Sequence, residues 1–302
     1  MNGEAWCLPR GGEGFPALLD DLDDPPAALH GLGDEDLVRG IARDGAVTIV
    51  GSRHPSSYGL EVAEELGYLL AGAGLVVVSG MALGIDSAAH RGALGAGGST
   101  VAVLGGGPDV VYPRSERRLH ERIVASGAVV SEMPPGTVPG RGCFPRRNRI
   151  MAALGTMTVV VEAAQPSGSL ITADRAAKLG REVGAVPGRV TTRVAHGTNA
   201  LIADGAAVIR DAQDVLDRML GVGMGKAHRD GPTLEPELAS VVYAVEGGAS
   251  TPDAAAVAVG MCATDAAVAL ARVELLGYLR ADSAGRYQRT SMRIPEATTL
   301  KP

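Results

Sequence analysis

The chain has 302 residues, 46% of them apolar and 21% charged, a composition typical of a globular protein that can bury a full α/β core. No run of about 18 uncharged apolar residues indicates a membrane span, and no signal pattern is evident, so we expect a cytoplasmic protein without membrane contact. The three cysteines, Cys7, Cys143 and Cys262, lie far apart and outside any paired spacing, so they indicate neither a disulfide framework nor a zinc motif. We therefore predict no metal site.

The net charge of −6 is unevenly distributed along the chain. Residues 1–44 hold ten acidic and three basic side chains, and we predict that they form an acidic N-terminal arm with a short helical segment. Residues 45–230 hold 16 acidic and 19 basic side chains, a net charge of +3. The net negative charge of the whole chain is therefore compatible with a local basic site in its middle part.

Short apolar runs alternate with helical patterns through the middle of the chain. Their high Val and Ile content and weak alternation are typical of strands buried on both faces. We predict an extended Rossmann-like, doubly wound and mostly parallel α/β sheet over residues 45–218. The predicted strands are 46–50, 75–79, 100–104, 128–131, 157–161 and 183–186, and the predicted helices lie near 57–73, 85–95, 115–126, 147–154 and 168–181.

Each of four predicted strand-to-helix turns is rich in small residues. They read GSRHPSS at 51–57, SGMALGIDSAAH at 79–90, GGGPDVVYPR at 105–114 and PSGSLITAD at 166–174. Glycines let backbone N–H groups approach an anion, and the following helix N-terminus adds a favourable dipole. Because such turns converge at the carboxyl edge of a parallel sheet, they predict a phosphate-binding crevice. Ser169 is expected to cap its helix.

A basic run follows the fourth predicted strand, in RGCFPRRNRIMAAL at 141–154. It contains Arg141, Arg146, Arg147 and Arg149. Guanidinium groups pair with phosphate, and the ring of Phe144 offers a face to a base, so the run favours a polyanion that carries bases. The residues alone leave alternatives open: a solvated helix start, Phe144 as a core anchor, and Asn148 as the cap of a turn.

Two nucleotide-binding fingerprints are absent. GGGPDVV places Val110 where the last glycine of Gly-x-Gly-x-x-Gly belongs, and no Gly-x-x-x-x-Gly-Lys-Ser/Thr loop occurs. An NAD enzyme and a P-loop ATPase are therefore disfavoured, and we predict no cofactor.

The C-terminal part has a different character. Residues 219–233 are typical of a linker, and residues 234–295 predict three helices and a β-hairpin, the order of a winged-helix domain. Thr264 is the expected N-cap of the third helix. That helix carries Arg272 against Asp265 and Glu274, which favours a packing or protein-contact role over DNA reading. A transcription regulator acting through this domain is disfavoured for the same reason.

Several of these strings, in order, resemble the DNA-processing protein A family (DprA, also called Smf). They include GSRHPSSYG, SGMALGIDSAAH, VLGGGPDVVYP, FPRRNRIMAAL, SGSLITADRAA and GTNALIADGA, and FPALLDDLDDPPAALHGLG at 15–33 resembles the family segment ahead of the sheet. The resemblance implies a non-catalytic protein that binds single-stranded DNA and helps load the RecA recombinase during natural transformation and recombination. It also implies a homodimer formed through the α/β domain.

The resemblance implies a set of DNA-binding residues. They are Gly51, Ser52 and Arg53 of the first turn, Gly80 of the second, Phe144, Arg146, Arg147, Asn148 and Arg149 of the basic run, and Gly168 and Ser169 of the last turn. We expect replacement of Arg53 or Arg147 to weaken DNA binding without lowering thermal stability.

An enzyme family offers the main alternative function. The LONELY GUY-like phosphoribohydrolases, which cleave the base from a nucleoside monophosphate, share the sheet type and a GSR-like strand end. Their catalytic glutamate lies in a PGGxGTxxE turn. The matching turn of this chain, PSGSLITAD, lacks the double glycine and that glutamate, and the nearest carboxylates are Asp174 and Glu162.

Overall fold

The computed structural model describes residues 4–41, 45–140, 142–225, 231–282, 284–290 and 292–295. The chain divides into two compact units, Met1–Ala227 and His228–Pro302. Among the described residues no single helix has the length and apolarity to cross a membrane, and one bent pair, Pro252–Val259 with Ala263–Leu275, meets those criteria jointly.

The first unit contains one nine-stranded sheet. Its strands are β1 (Trp6–Pro9), β2 (Ala28–Gly33), β3 (Ala46–Val50), β4 (Val76–Ser79), β5 (Thr100–Val103), β6 (Ala128–Ser131), β7 (Met157–Val160), β8 (Glu182–Ala185) and β9 (Ala207–Val208). Its helices are α1 (Glu35–Arg39), α2 (Ser57–Gly72), α3 (Ile85–Gly95), α4 (Arg117–Ser126), α5 (Cys143–Leu154), α6 (Gly168–Lys178), α7 (His196–Ala203) and α8 (Ala212–Leu220).

The strands follow the order β1-β2-β6-β5-β4-β3-β7-β8-β9. All neighbours from β6 to β9 are parallel, whereas β2 pairs antiparallel with β6 and β1 antiparallel with β2. The mostly parallel doubly wound sheet is confirmed. Residues 6–33 of the predicted acidic arm add two strands at one end of the sheet, and Trp6 Nε1 donates to the Gly33 carbonyl at 3.0 Å.

Helices cover both faces of the sheet because each buried strand sends alternate side chains to opposite sides. Val47 and Ile49 of β3 pack with apolar residues of α2, α3 and α8 on one face. Ala46 and Val50 pack with α5 and α6 on the other. All five residues of β3 are buried, so this strand lies at the centre of the core.

The chain reverses its direction of travel across the sheet at β3. It proceeds from β3 through β4 and β5 to β6, and then returns to place β7 against the other side of β3. The crevice beyond the carboxyl ends of β3 and β7 is therefore the topological switch point, where ligands bind in open α/β sheets.

Two local details correct the expectations from sequence. Helix α5 begins at Cys143, upstream of the predicted start at 147, because Pro145 falls in the first turn, where no backbone N–H is needed. The N-cap of α6 is Ser167, which accepts from the Ser169 backbone N–H, so Ser169 lies inside the helix and does not cap it.

The second unit contains α9 (Pro236–Glu246), α10 (Pro252–Val259), α11 (Ala263–Leu275) and an antiparallel pair, β10 (Leu279–Ala281) with β11 (Tyr287–Arg289). This is the predicted order of elements, and the winged-helix assignment stays a prediction. The N-cap of α11 is Cys262, whose sulfur accepts from the Asp265 N–H, and not Thr264. Arg272 lies 3.8 Å from Glu235, so the one cation of α11 has an acidic neighbour.

Candidate nucleic-acid interface

A cavity of about 520 Å³ opens at the switch point, and we call it the strand-end cavity. It is lined by residues from the end of β3, the second turn, α5 and the start of α6: Val50, Gly51, Ser52, Arg53, Ala82, Asp86, Phe144, Pro145, Arg147, Asn148, Met151, Ala164, Pro166, Ser167, Gly168, Ser169, Ile171 and Thr172.

The turn after β3 is fixed from both sides. The Ser52 N–H donates to the Glu162 carbonyl at 2.7 Å, and the Ser52 carbonyl accepts from the Ile85 N–H at 3.2 Å. A Cβ at Gly51 would lie 2.6 Å from the Ile85 side chain, so only glycine fits between them. This rigid turn presents Arg53, whose side chain is exposed, at the edge of the cavity.

Three planar groups follow one another, and we call them the stacking row: Arg53 and Phe144, which line the cavity, and Tyr112, which contacts Phe144. The Arg53 guanidinium carbon lies 5.5 Å from the centre of the Phe144 ring. The centre of the Tyr112 ring lies 5.3 Å from that of Phe144, with 40° between the planes. Phe144 is half-buried and Tyr112 is 51% exposed, so the row remains accessible to solvent.

Arg147 is the buried cation of the cavity, with only 5% of its surface exposed. Its Nη1 donates to the Val103 carbonyl at 2.6 Å, and its Nε has no hydrogen-bond partner among the described residues. Gly80 lies against it, and a Cβ there would overlap the guanidinium. Gly80 therefore serves the site by making room for Arg147.

The charges below the cavity perturb one another. Burial lowers the pKa of Arg147, and the neighbouring carboxylate of Asp86 opposes that effect. Burial raises the pKa of Asp86, while Arg147 opposes it. Burial, with the positive charges of Arg147 and Arg91, lowers the pKa of His90 to about 3, so this imidazole is neutral at pH 7. The expectation that replacing Arg147 leaves stability intact is therefore revised, because this arginine belongs to the core.

The N-terminus of α6 forms the opposite wall of the cavity. Ser167 and Ser169 share a hydrogen bond between their hydroxyl oxygens at 2.8 Å, and the Asn148 side chain donates to the Gly168 carbonyl at 3.1 Å. Asn148 thus ties α5 to the start of α6. The N–H groups of the first turn of α6 and its dipole favour an anion at this wall.

The remaining arginines of α5 lie on another face of the helix. Arg149 is 4% exposed and its Nη2 donates to Glu132 at 2.5 Å, with Asp24 at 3.8 Å. Arg146 is exposed and lies 3.3 Å from the same Glu132. Both cations are therefore opposed by carboxylates outside the strand-end cavity.

The structure divides the predicted site residues. Eight line the strand-end cavity: Gly51, Ser52, Arg53, Phe144, Arg147, Asn148, Gly168 and Ser169. Gly80 contacts Arg147 from behind, Arg146 and Arg149 lie elsewhere, and Arg141 is outside the described residues. Sequence reasoning missed Asp86 and Tyr112. Both occur in glycine-rich turns that the sequence analysis identified. Their side chains, a carboxylate and an aromatic ring among small residues, are the signal that could have identified them.

Glu162 and Asp174, the two carboxylates considered for the hydrolase alternative, lie where they hold structure and do not face the strand-end cavity. Glu162 accepts from the Ser56 backbone N–H at 2.8 Å and from its hydroxyl at 2.6 Å, which holds the start of α2. Asp174 pairs with Lys178 at 2.7 Å and lines a different cavity. Neither side chain is positioned to assist departure of a base in the strand-end cavity.

The fold and the cavity define a class: a doubly wound, Rossmann-like α/β protein with a cationic crevice at its switch point. The family model of DNA recombination-mediator protein A matches residues 6–220, and the chain belongs to this family. Protein Smf of Synechocystis is 34% identical over 309 residues, covering 91% of this chain and 78% of its relative.

Two solved structures of DNA processing protein A are similar to this chain. The Streptococcus pneumoniae protein is 39% identical with a TM-score of 0.66, covering 70% of this chain and 74% of that one. The Helicobacter pylori protein, whose structure concerns its single-stranded DNA binding mode, is 30% identical with a TM-score of 0.65, covering 73% of this chain and 98% of that one.

Proposed function

We propose that this chain binds single-stranded DNA in the strand-end cavity. The observation that carries the proposal is the pair Arg53 and Arg147 in one cavity with a half-buried aromatic ring. Among the described residues, neither guanidinium forms an ion pair with a carboxylate. A polyanion that also offers unpaired bases matches this combination, and the related Helicobacter pylori structure supports single-stranded DNA as that polyanion.

Arg53 and the N-terminus of α6 hold the sugar–phosphate backbone. The contact of Arg53 with Phe144 is worth about 0.5–1 kcal/mol at an exposed site, and a bidentate bond to phosphate is stronger. Arg53 therefore moves from the ring to a phosphate when DNA arrives. That movement uncovers the face of Phe144, on which a base stacks for about 1–3 kcal/mol. Arg147 supplies a fixed positive potential from below.

Duplex DNA does not satisfy the same site. Its bases are already stacked and paired, so reaching Phe144 would require a base to leave the stack at a cost of a few kcal/mol. The site therefore prefers single strands to duplexes. It tolerates different base sequences, because every base has a π-face.

Fluorescence anisotropy with labelled oligo(dT) of ~35 nucleotides and the matching duplex tests the proposal. We expect single strands to bind at least about tenfold more tightly, and more weakly as salt rises. Equal or tighter duplex binding would overturn it. Incubation with AMP in the same buffer is the control for the hydrolase alternative, which requires release of adenine.

We further propose that the DNA-bound protein, as a homodimer in the cytoplasm, has no catalytic step and helps load RecA recombinase in transformation and recombination. The description of the family as a recombination mediator supports this role. On single strands coated with a single-strand-binding protein, RecA ATPase activity begins after a lag, and this lag should shorten when the chain is added. An unchanged lag would contradict the loading role. Light scattering on the free protein reports the dimer.

A further inference from the structure

We propose that Tyr112 is a second base-stacking residue, which binds the nucleotide next to the one on Phe144. This inference rests on the proposed function and adds a residue that neither the predicted site nor the strand-end cavity includes. The third glycine-rich turn, GGGPDVVYPR, thereby acquires a role in binding.

The first support is the geometry of the stacking row. Tyr112 contacts the Phe144 ring at 5.3 Å between centres, on a tilted plane. A single strand whose bases meet two successive rings can keep adjacent nucleotides engaged, which is how aromatic residues hold unpaired strands. With 51% of its surface exposed, Tyr112 has ring surface left for a base.

The second support is the rigidity of the loop that carries Tyr112. The buried ring of His120 bonds the Pro108 carbonyl through Nε2 at 2.8 Å, and the Gly107 N–H donates to the Thr137 carbonyl at 2.8 Å. Asp109 accepts from the Gly136 N–H at 2.8 Å. A ring held in place before binding loses little conformational freedom when a base stacks on it.

A purely structural role is the competing explanation, in which Tyr112 only supports Phe144. A double-mutant cycle separates the two. If each ring holds its own base, Tyr112→Ala weakens binding of oligo(dT) by about fivefold or more in the wild type and by a similar factor in Phe144→Ala. If Tyr112 only supports Phe144, the substitution has no further effect in the Phe144→Ala background, and the inference fails.

Three controls complete the test. Tyr112→Phe keeps the ring and should retain wild-type affinity within about twofold, and loss of binding in this variant would contradict stacking. Tyr243→Ala removes a comparably exposed tyrosine, 57% exposed, from the second unit and should bind as the wild type does. Oligonucleotides with abasic positions should erase the Tyr112→Ala effect, because no base remains to stack.

The outcomes distinguish this inference from the proposed function. Wild-type protein that fails to prefer single strands would remove the proposed function itself. Wild-type protein that binds single strands while Tyr112→Ala binds equally well would overturn only the role of Tyr112. 2-Aminopurine in the oligonucleotide gives an independent readout, since its fluorescence falls on stacking and should recover partly in Tyr112→Ala.

Discussion

Two faces of helix α5 carry arginines that are nearly adjacent in sequence but differ in their surroundings. On the cavity face, Arg147 and Arg53 line one cavity with Phe144, and among the described residues no carboxylate forms an ion pair with either guanidinium, although the buried Asp86 acts on Arg147 from a longer distance. On the other face, Arg146 and Arg149 share Glu132. A count of basic residues therefore overstates the DNA site, and the pairing of each cation decides whether it can bind phosphate.

The largest expected effect is that of Arg147→Ala. The substitution removes the larger of the two positive charges that act on the buried Asp86, leaving only that of Arg53, and it leaves the Val103 carbonyl without its donor. We expect the free energy of unfolding to fall by roughly 3 kcal/mol, from the lost hydrogen bond of a charged group and the buried acceptor that it leaves unpaired, measured by urea denaturation, together with weaker binding of single strands. Adding Asp86→Ala should recover part of the lost stability. Unchanged stability of Arg147→Ala would contradict a stabilising role for this buried arginine.

Arg149→Ala should lower stability without weakening DNA binding, whereas Arg147→Ala should lower both. Glu132 keeps Arg146 as a neighbour, so the free energy of unfolding should fall by about 1.5–3 kcal/mol, the value of hydrogen bonds to charged groups. The affinity of the folded protein for oligo(dT) should remain within about twofold. A large loss of affinity measured well below the melting temperature would show that Arg149 contacts DNA.

The pH dependence of stability reports the buried polar groups below the cavity. The pKa of His90 falls to about 3 on folding, from an ordinary value of 6.5. Between these values the unfolded chain binds a proton that the folded chain does not, so the contribution of His90 is full above pH 6.5 and is lost as the pH falls towards 3. Its slope approaches about 1.4 kcal/mol per pH unit.

Asp86 acts in the opposite sense in acid, because its pKa is raised by burial. The contribution of His90 is therefore isolated by subtracting the free energy of unfolding of His90→Asn from that of the wild type at each pH. The asparagine amide can take the place of Nδ1 beside Thr100. That difference in the free energy of unfolding should grow from pH 4 to pH 6.5. A difference independent of pH would mean that His90 titrates normally in the folded protein.

The smallest expected effect is on salt dependence. Arg53→Ala should reduce the slope of log affinity against log salt by about 0.7, the value for one phosphate contact on a single strand. Arg146→Ala should leave the slope unchanged because Glu132 already opposes that charge. Anisotropy titrations between about 50 and about 200 mM salt measure both slopes. Equal reductions would remove the distinction between the two faces of α5.

The central strands could be predicted from the sequence because their continuous Val and Ile runs are buried on both faces. The two outer strands β1 and β2 could not, since they contain Pro, Gly and polar residues and depend on tertiary pairing, β2 with β6 and β1 with β2. The two-residue β9 is too short to produce a pattern.

The sequence was enough to predict that glycine-rich turns meet at one cavity, because the sheet is parallel, and three of the four turns do so. It was not enough to predict which arginines of α5 face that cavity. With α5 starting at Cys143, Phe144, Arg147, Asn148 and Met151 have the i, i+3, i+4 and i+7 spacing of one helix face, and all four line the cavity. A predicted start at 147 concealed this spacing. The pairing of Arg146 and Arg149 with Glu132 depends on a contact between distant parts of the chain, which no local pattern contains.

The most direct test compares the removal of two exposed charges, Arg53→Ala and Arg146→Ala, by the dissociation constant for ~35-nucleotide oligo(dT) at one salt concentration. Both substitutions remove one surface arginine that has a single weak contact, so both variants should fold with stability within about 1 kcal/mol of the wild type. We predict that Arg53→Ala weakens binding by about tenfold or more, while Arg146→Ala stays within about twofold. Equal losses, or a larger loss for Arg146→Ala, would contradict a DNA site centred on the strand-end cavity.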